Sequence, residues 1–270
     1  MNKTILITGA SSGIGKAAAI LFQQKGWNVI ATMRTPEKET ELVQLENTLV
    51  TSLDVLDLDS IQNAIDLGIQ RFGKIDALVN NAGYGAYGPL ETFPRENIIR
   101  QFNTNVIGLL DVTRAVTPHF RQNKNGVMIN ISSIGGQMTF PLGSLYHGTK
   151  FAVEGISEAL SFEMAQIGVK VKIVEPGMIA TDFGGRSFDF QAGEIAEYQP
   201  IIGALMKVWR SGDMKPSPAS LVADVIYQAA TDESTTLRYR AGDDANSLLD
   251  TRKNMKEDDF INMIKEQYGL

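Results

Sequence analysis

The chain has 270 residues, 43% of them hydrophobic and 21% charged, and 25 Lys and Arg against 31 Asp and Glu leave a net charge of −6. That is an ordinary globular composition with chain enough for a substantial core, and the acidic balance argues against general nucleic-acid binding. Without cysteine there is no disulfide framework or thiolate chemistry. With His119 and His147 the only imidazoles, a structural zinc site is not expected. No stretch of ~18 apolar residues and no signal-peptide layout occur, so the expectation is a cytoplasmic protein with no membrane segment.

The first element is an apolar strand, Ile5-Leu6-Ile7, that runs into Thr8-Gly9-Ala10-Ser11-Ser12-Gly13-Ile14-Gly15. A helical pattern follows at Ala17, Ala18, Ile20, Leu21 and Phe22. Strand, glycine turn and helix open a nucleotide-binding βαβ unit. Glycine permits a tight turn and a close approach of the backbone to a pyrophosphate, and the helix start offers it unpaired N–H groups. The spacing of Gly9, Gly13 and Gly15 departs from Gly-x-Gly-x-x-Gly, and a plain strand-to-helix turn has the same appearance.

Further strands are expected at 28–32, 49–52, 77–80, 127–132, 170–175 and 237–239, after the first at 4–8. The middle ones are continuous apolar or β-branched runs of the kind buried on both faces. Helical patterns lie between them, including 60–71, 97–120 and 145–166. The alternation predicts an α/β, Rossmann-type doubly wound parallel sheet of about seven strands with helices on both faces. Nothing in the composition divides 1–270 into two domains. Between Asp182 and Pro218 no strand is expected. The stretch 182–217 carries Gly184, Gly185 and Gly193 together with Phe183, Phe188, Phe190, Ile195, Tyr198, Ile201, Ile202, Leu205, Met206, Val208 and Trp209. So long an insertion with that apolar load reads as a helical lid over an apolar pocket, or as extra core or a subunit contact.

In dinucleotide folds an acid ending the second strand bonds the ribose 2′-hydroxyl and selects NAD. No acid stands between Lys16 and Pro36, and the second strand ends Ala31-Thr32-Met33-Arg34. The Arg34 guanidinium suits a 2′-phosphate, and Ser11 or Ser12 could add a bond, so NADP(H) is preferred with NAD(H) still possible. On position alone Arg34 equally reads as an exposed strand end. Asp54, before Val55 at the end of the third strand, suits the adenine amino group or a simple loop cap. Asn80-Asn81-Ala82-Gly83 ends the fourth strand, where a glycine and short amides suit a ligand or merely a turn.

Tyr146 and Lys150 share a helix face four residues apart. A tyrosine ionises at about 10, and a nearby ammonium favours the phenolate, which makes Tyr146 a candidate acid/base for an alcohol or ketone. Ser132 and Ser133 end the fifth strand at the same sheet edge as the glycine turn, where such sheets bind ligands, and a hydroxyl there can hold the substrate oxygen.

With these features in this order, the sequence resembles the short-chain dehydrogenase/reductase family, in its single-domain branch. The resemblance is carried by the turn from Thr8 to Gly15, by Asn80-Asn81-Ala82-Gly83, by Ser133 and by Tyr146-His147-Gly148-Thr149-Lys150. It implies that Tyr146 is the general acid/base, that Ser133 rather than Ser132 is the catalytic serine, and that Lys150 holds the nicotinamide ribose and lowers the Tyr146 pKa. It implies that Asn105 positions a water in the proton relay. Bottom-up, Asn105 is a mid-helix polar residue and nothing more. Pro176-Gly177-Met178-Ile179-Ala180-Thr181 matches the segment beside the nicotinamide, Asp54 the adenine contact and Arg34 the position favouring NADP. His147 reads as a neutral packed histidine, and His119 has no expected role. The stretches 84–91, 31–34 and 238–242 look like the subset that includes 17β-hydroxysteroid and retinol dehydrogenases, which implies an apolar ketone, aldehyde or secondary alcohol as substrate. The family also implies a homodimer or homotetramer through the helices at 97–120 and 145–166. The alternatives are a non-catalytic NADP-binding sensor, which often lacks the Tyr or Lys, and a sugar-nucleotide epimerase, which usually carries a larger C-terminal domain than a chain ending with its sheet.

Overall fold

The computed structural model describes residues 2–181, 187–211 and 215–270. The strands, in chain order, are β1 (Thr4–Ile7), β2 (Asn28–Met33), β3 (Thr48–Ser52), β4 (Ala77–Asn80), β5 (Gly85–Tyr87), β6 (Gly126–Ile131), β7 (Val169–Pro176), β8 (Ile179–Ala180), β9 (Phe188–Phe190), β10 (Ser217–Pro218) and β11 (Arg238–Ala241). The helices are α1 (Gly13–Gln24), α2 (Leu58–Phe72), α3 (Arg95–Phe102), α4 (Gly108–Asn123), α5 (Ser144–Ala165), α6 (Gln199–Arg210), α7 (Ala219–Thr231), α8 (Asp243–Asn254) and α9 (Glu257–Tyr268).

Seven strands form one sheet in the order β3-β2-β1-β4-β6-β7-β11. Every pairing in it is parallel. This is the predicted Rossmann-type sheet, with the order reversing between β1 and β4. Ile5, Leu6 and Ile7 of β1 are all fully buried, because helices cover both faces and a central strand has no solvent side. Each such side chain contributes about 1.5–3 kcal/mol on burial. On one face α1 and α7 pack Phe22, Ala223 and Ile226 against β1, β2 and β6. On the other, α2, α4 and α5 pack Ile61, Ile65, Val112, Val116 and Met164 against the same sheet. Beneath the site, Asn80 of β4 donates to Thr113 and Asn130, and Asn130 donates to Ser157. That buried amide chain ties β4, β6, α4 and α5 to one another.

Three expectations are corrected. The stretch 97–120 is not one helix: between α3 and α4 the backbone widens at Asn103–Ile107, where the Gly108 N–H reaches back to the Asn103 carbonyl. Such a π-type turn inserts one residue without breaking apolar periodicity. The region after Asp182 is not free of strands, since β9 pairs with β5 and β10 with β8. The chain does not end with its sheet, because α8 and α9 follow β11.

Candidate active site

The glycine turn joins β1 to α1 and lies against the end of β4. Gly9 and Gly13 have positive φ, at 69° and 54°, conformations that a Cβ disfavours. Gly15 is required for space: a Cβ there would fall 2.6 Å from Asn81 Nδ2 and closer still to the Gly9 carbonyl oxygen. The turn is pinned from the side. Asn81 Nδ2 donates to the carbonyls of Thr8 and Gly9 at 2.9 and 3.1 Å, while the backbone N–H groups of Asn81 and Ala82 both donate to Thr8 Oγ1. At the start of α1, Ser12 makes no side-chain cap and no acid stands in the first turn. Ser11 is exposed and Ile14 half-buried beside it. This cradle, with helix N–H groups left to an anion, fits the pyrophosphate of a dinucleotide.

The other residues expected at a cofactor lie along the same carboxyl edge. Arg34 directly follows β2 and is exposed, with no hydrogen bond or ion pair to the described residues. Asp54 follows β3 and accepts the Leu56 N–H at 3.0 Å, so it does serve as a loop cap. Val55 beside it is buried. Gly83 backs onto Asn105, whose Oδ1 lies 3.1 Å from where a Cβ would stand. Past β7, Pro176 and Gly177 lead to Ile179 in β8 and to Thr181, whose side chain is 3.4 Å from a Cβ placed on Gly13. The segment after β7 therefore lies against the glycine turn.

Ser133, Tyr146 and Lys150 converge at the end of β6. Tyr146 is buried, and burial pushes its phenol upward while a hydrogen bond from the Ser133 side pulls it back. Lys150 stands over the Tyr146 ring. Its Nζ donates to the Ile131 carbonyl at 2.8 Å and lies 5.7 Å from the Tyr146 ring centre. Burial lowers the Lys150 ammonium from 10.5 to about 8, opposed by the charge of Glu154. Ser133, not Ser132, faces Tyr146. The Ser132 hydroxyl is buried without a hydrogen-bond partner among the described residues. Asn105 is held inward by the wide turn. Its Oδ1 accepts the Tyr84 N–H, and its Nδ2 donates to the Tyr84 carbonyl and to Thr149 Oγ1. It straps the segment after β4 to the helix that carries Tyr146.

An aromatic wall stands beside Tyr146. The Tyr87 ring centre is 5.6 Å from Tyr146, 5.5 Å from Phe188 and 5.6 Å from Trp209. Tyr87 is buried, which drives its phenol well above 10. The apolar load of 182–217 is thus divided. Phe188 and Trp209 meet Tyr87, whereas Leu205 packs with Phe260, Ile264 and Tyr268 of α9 as additional core. Phe183, Gly184 and Gly185 lie outside the described residues.

Sequence reasoning missed several participants. Asp244 of α8 accepts the Met178 N–H at 2.6 Å and underpins the segment after β7. Its one sequence signal is an acid in a first helical turn, which is common. Arg238 of β11 bonds Glu154 at 2.9 Å and lies 3.7 Å from Glu175, whose carboxyl is pushed up by burial and by Glu154. These groups line a separate cavity of about 850 Å³ that none of the expected cofactor or catalytic residues borders. His119 accepts the Ile75 N–H at 3.0 Å, a structural tie far from this edge.

Residues 3–192 match the family model for short chain dehydrogenases. An uncharacterised oxidoreductase of Schizosaccharomyces pombe is 48% identical over 238 residues, 88% of this chain and all of that one. The 3-ketodihydrosphingosine reductase of Bacteroides thetaiotaomicron is 40% identical over 267 residues, covering 98% of this chain and 96% of that one. The solved structure of ElxO with NADP bound superposes with a TM-score of 0.73 at 30% identity, over 89% of this chain and 98% of that one. The chain belongs to the short-chain dehydrogenase family and is an oxidoreductase of that family.

Proposed function

We propose that the protein is an NADP(H)-dependent oxidoreductase that interconverts an apolar ketone or aldehyde and its alcohol. The observation that carries this reading is the convergence of Ser133, Tyr146 and Lys150 beside an aromatic wall, at the same sheet edge as the glycine cradle. When bound, the nicotinamide supplies or accepts the hydride. The turn from Gly9 to Gly15 holds the pyrophosphate, and Arg34 pairs with the 2′-phosphate of the adenosine ribose. Asp54 and Val55 border the adenine, and Asn81, Ala82, Gly83, Pro176, Gly177, Ile179 and Thr181 line the path toward the nicotinamide. ElxO, an NADP-bound relative in fold and sequence, supports the cofactor.

Ser133 Oγ donates to the substrate oxygen and fixes it beside the Tyr146 hydroxyl. In reduction Tyr146 gives its proton to that oxygen as the carbonyl carbon gains hydride, so the developing alkoxide leaves as a neutral alcohol. In oxidation the proton moves the opposite way. The Lys150 ammonium stabilises the phenolate left behind, an interaction strengthened by the dry surroundings of both groups. Asn105 belongs to the path that returns a proton toward Lys150, placed there by the wide turn. The wall of Tyr87, Phe188 and Trp209 excludes water and favours an apolar substituent, in keeping with a relative that reduces 3-ketodihydrosphingosine. Exposed Phe151 and Phe162 on α5 support association into a homodimer or homotetramer through that helix. No helix among the described residues is long and apolar enough to cross a membrane.

The test is turnover. Purified protein with NADPH is offered octanal, acetophenone and a long-chain aliphatic ketone, and loss of reduced nicotinamide is followed. Reduction of at least one of them is expected. Tight NADPH binding with no turnover on the whole panel would favour a sensor of NADP instead.

A further inference from the structure

His147 packs beside Tyr146, and the residue is 1% exposed. Both nitrogens are engaged. The Phe140 N–H donates to Nε2 at 3.1 Å, so Nε2 carries no proton, and Nδ1 therefore holds the hydrogen and donates it to the Gly135 carbonyl at 3.0 Å. The slot is built for this ring. A Cβ on Gly135 would fall 2.6 Å from Nδ1, and one on Gly143 would fall 2.5 Å from Nε2. The two anchored points bracket the loop that follows Ser133. At its near end the Gly135 N–H donates to Ser133 Oγ at 3.0 Å. At its far end Leu142 accepts the Gly88 N–H at 2.8 Å, next to Tyr87. The imidazole ring also contacts Tyr87 and Tyr146, with ring centres 5.8 and 5.6 Å away.

We propose that His147 is a positioning residue whose imidazole, bonded to Gly135 at one nitrogen and Phe140 at the other, sets Ser133 against Tyr146 and fixes the substrate-facing turn. Its link to catalysis rests on the reductase reading above, while its geometry does not.

The experiment separates the two ends. In His147→Asn the amide nitrogen stands near Nδ1 and keeps the Gly135 bond. In His147→Gln the amide oxygen stands near Nε2 and keeps the Phe140 bond. Amide hydrogen exchange of the whole protein should then split: Phe140, whose N–H loses its acceptor, exchanges faster in the Asn variant, whereas in the Gln variant the Gly135 carbonyl loses its donor and the Gly135 N–H exchanges faster as the loosened turn weakens its bond to Ser133 Oγ. With NADPH and octanal or acetophenone, the Gln variant should lose about 10- to 100-fold in kcat as Ser133 shifts. The Asn variant should keep kcat and raise KM, and NADPH affinity should be unchanged in both. Gly143→Ala, which pushes on Nε2 with His147 still present, should reproduce the Asn result if the direct variants fold poorly. A uniform loss of thermal stability with no split in exchange or between kcat and KM would overturn the proposal. If the wild type reduces no carbonyl, the reductase reading fails while the exchange pattern still decides the clamp.

Discussion

Replacing Gly15 with alanine tests the cofactor cradle most sharply. The new methyl group would stand 2.6 Å from Asn81 Nδ2 and nearer to the Gly9 carbonyl, where ordinary contact begins at about 3.5 Å. Neither neighbour is the free end of a flexible chain. The Gly9 carbonyl is backbone, and Asn81 Nδ2 is already committed to two carbonyls. Overpacking of this kind costs about 1–3 kcal/mol, and disturbing the two Asn81 bonds adds about 0.5–1.5 kcal/mol for each. The sum, about 2–6 kcal/mol, is a large part of the stability of a typical domain. Gly26→Ala is the control. Gly26 also has positive φ, at 81°, yet nothing lies within 4 Å of its Cβ position, so it should lose only about 1–2 kcal/mol of backbone strain and bind NADPH normally. Urea unfolding and NADPH titration on both variants make the comparison. A Gly15→Ala protein with the wild-type midpoint and wild-type NADPH affinity would refute the close-packed cradle.

Other predictions concern charge. Arg34→Ala should weaken NADPH binding by about 10- to 150-fold, the worth of one hydrogen bond to a charged group, and leave NADH binding unchanged, as read by nicotinamide fluorescence. Equal loss of both cofactors would show that Arg34 does not meet the 2′-phosphate. Lys150 is lowered by burial to about 8, so its ammonium is present below that pH and lost as pH rises through it. The rate of carbonyl reduction should fall on that limb, and a rate flat well into alkaline pH would remove the ammonium from the mechanism. His147 is lowered by burial from 6.5 to about 4. Its folded value lies below its unfolded one, so its contribution is complete above 6.5 and lost as pH falls from there to about 4. The loss approaches about 3 kcal/mol at 1.36 kcal/mol for each tenfold change in proton activity. His147→Phe should not show that part of the acid-side loss in urea unfolding, and identical acid-side slopes for the two proteins would contradict it.

The sheet was legible because its strands are buried on both faces and therefore read as continuous apolar runs, as at Ile5-Leu6-Ile7. The glycine turn and the Tyr146–Lys150 pair were legible because their chemistry depends on local spacing. What was not legible depends on distant partners. The wide turn at 103–107 adds one residue to a helix without disturbing its apolar pattern, yet that residue count is what brings Asn105 inward to the Tyr84 backbone. Three-residue strands such as β5 and β9 are too short to show a period, and their pairing joins segments about a hundred residues apart. His147 reads correctly as neutral and packed, but the Gly135 and Phe140 groups it bonds belong to a loop whose path only the fold defines. Asp244 likewise meets Met178 across sixty-six positions of sequence.

The central claim is that Tyr146 exchanges the proton with the substrate oxygen, and Tyr146→Phe tests it most directly. The substitution removes one buried oxygen and keeps the ring against Tyr87. The account predicts that NADPH still binds with wild-type affinity while reduction of every carbonyl that the wild type accepts falls to background. Turnover retained in Tyr146→Phe, with NADPH binding intact, would contradict the assignment of the acid/base and with it the proposed proton path.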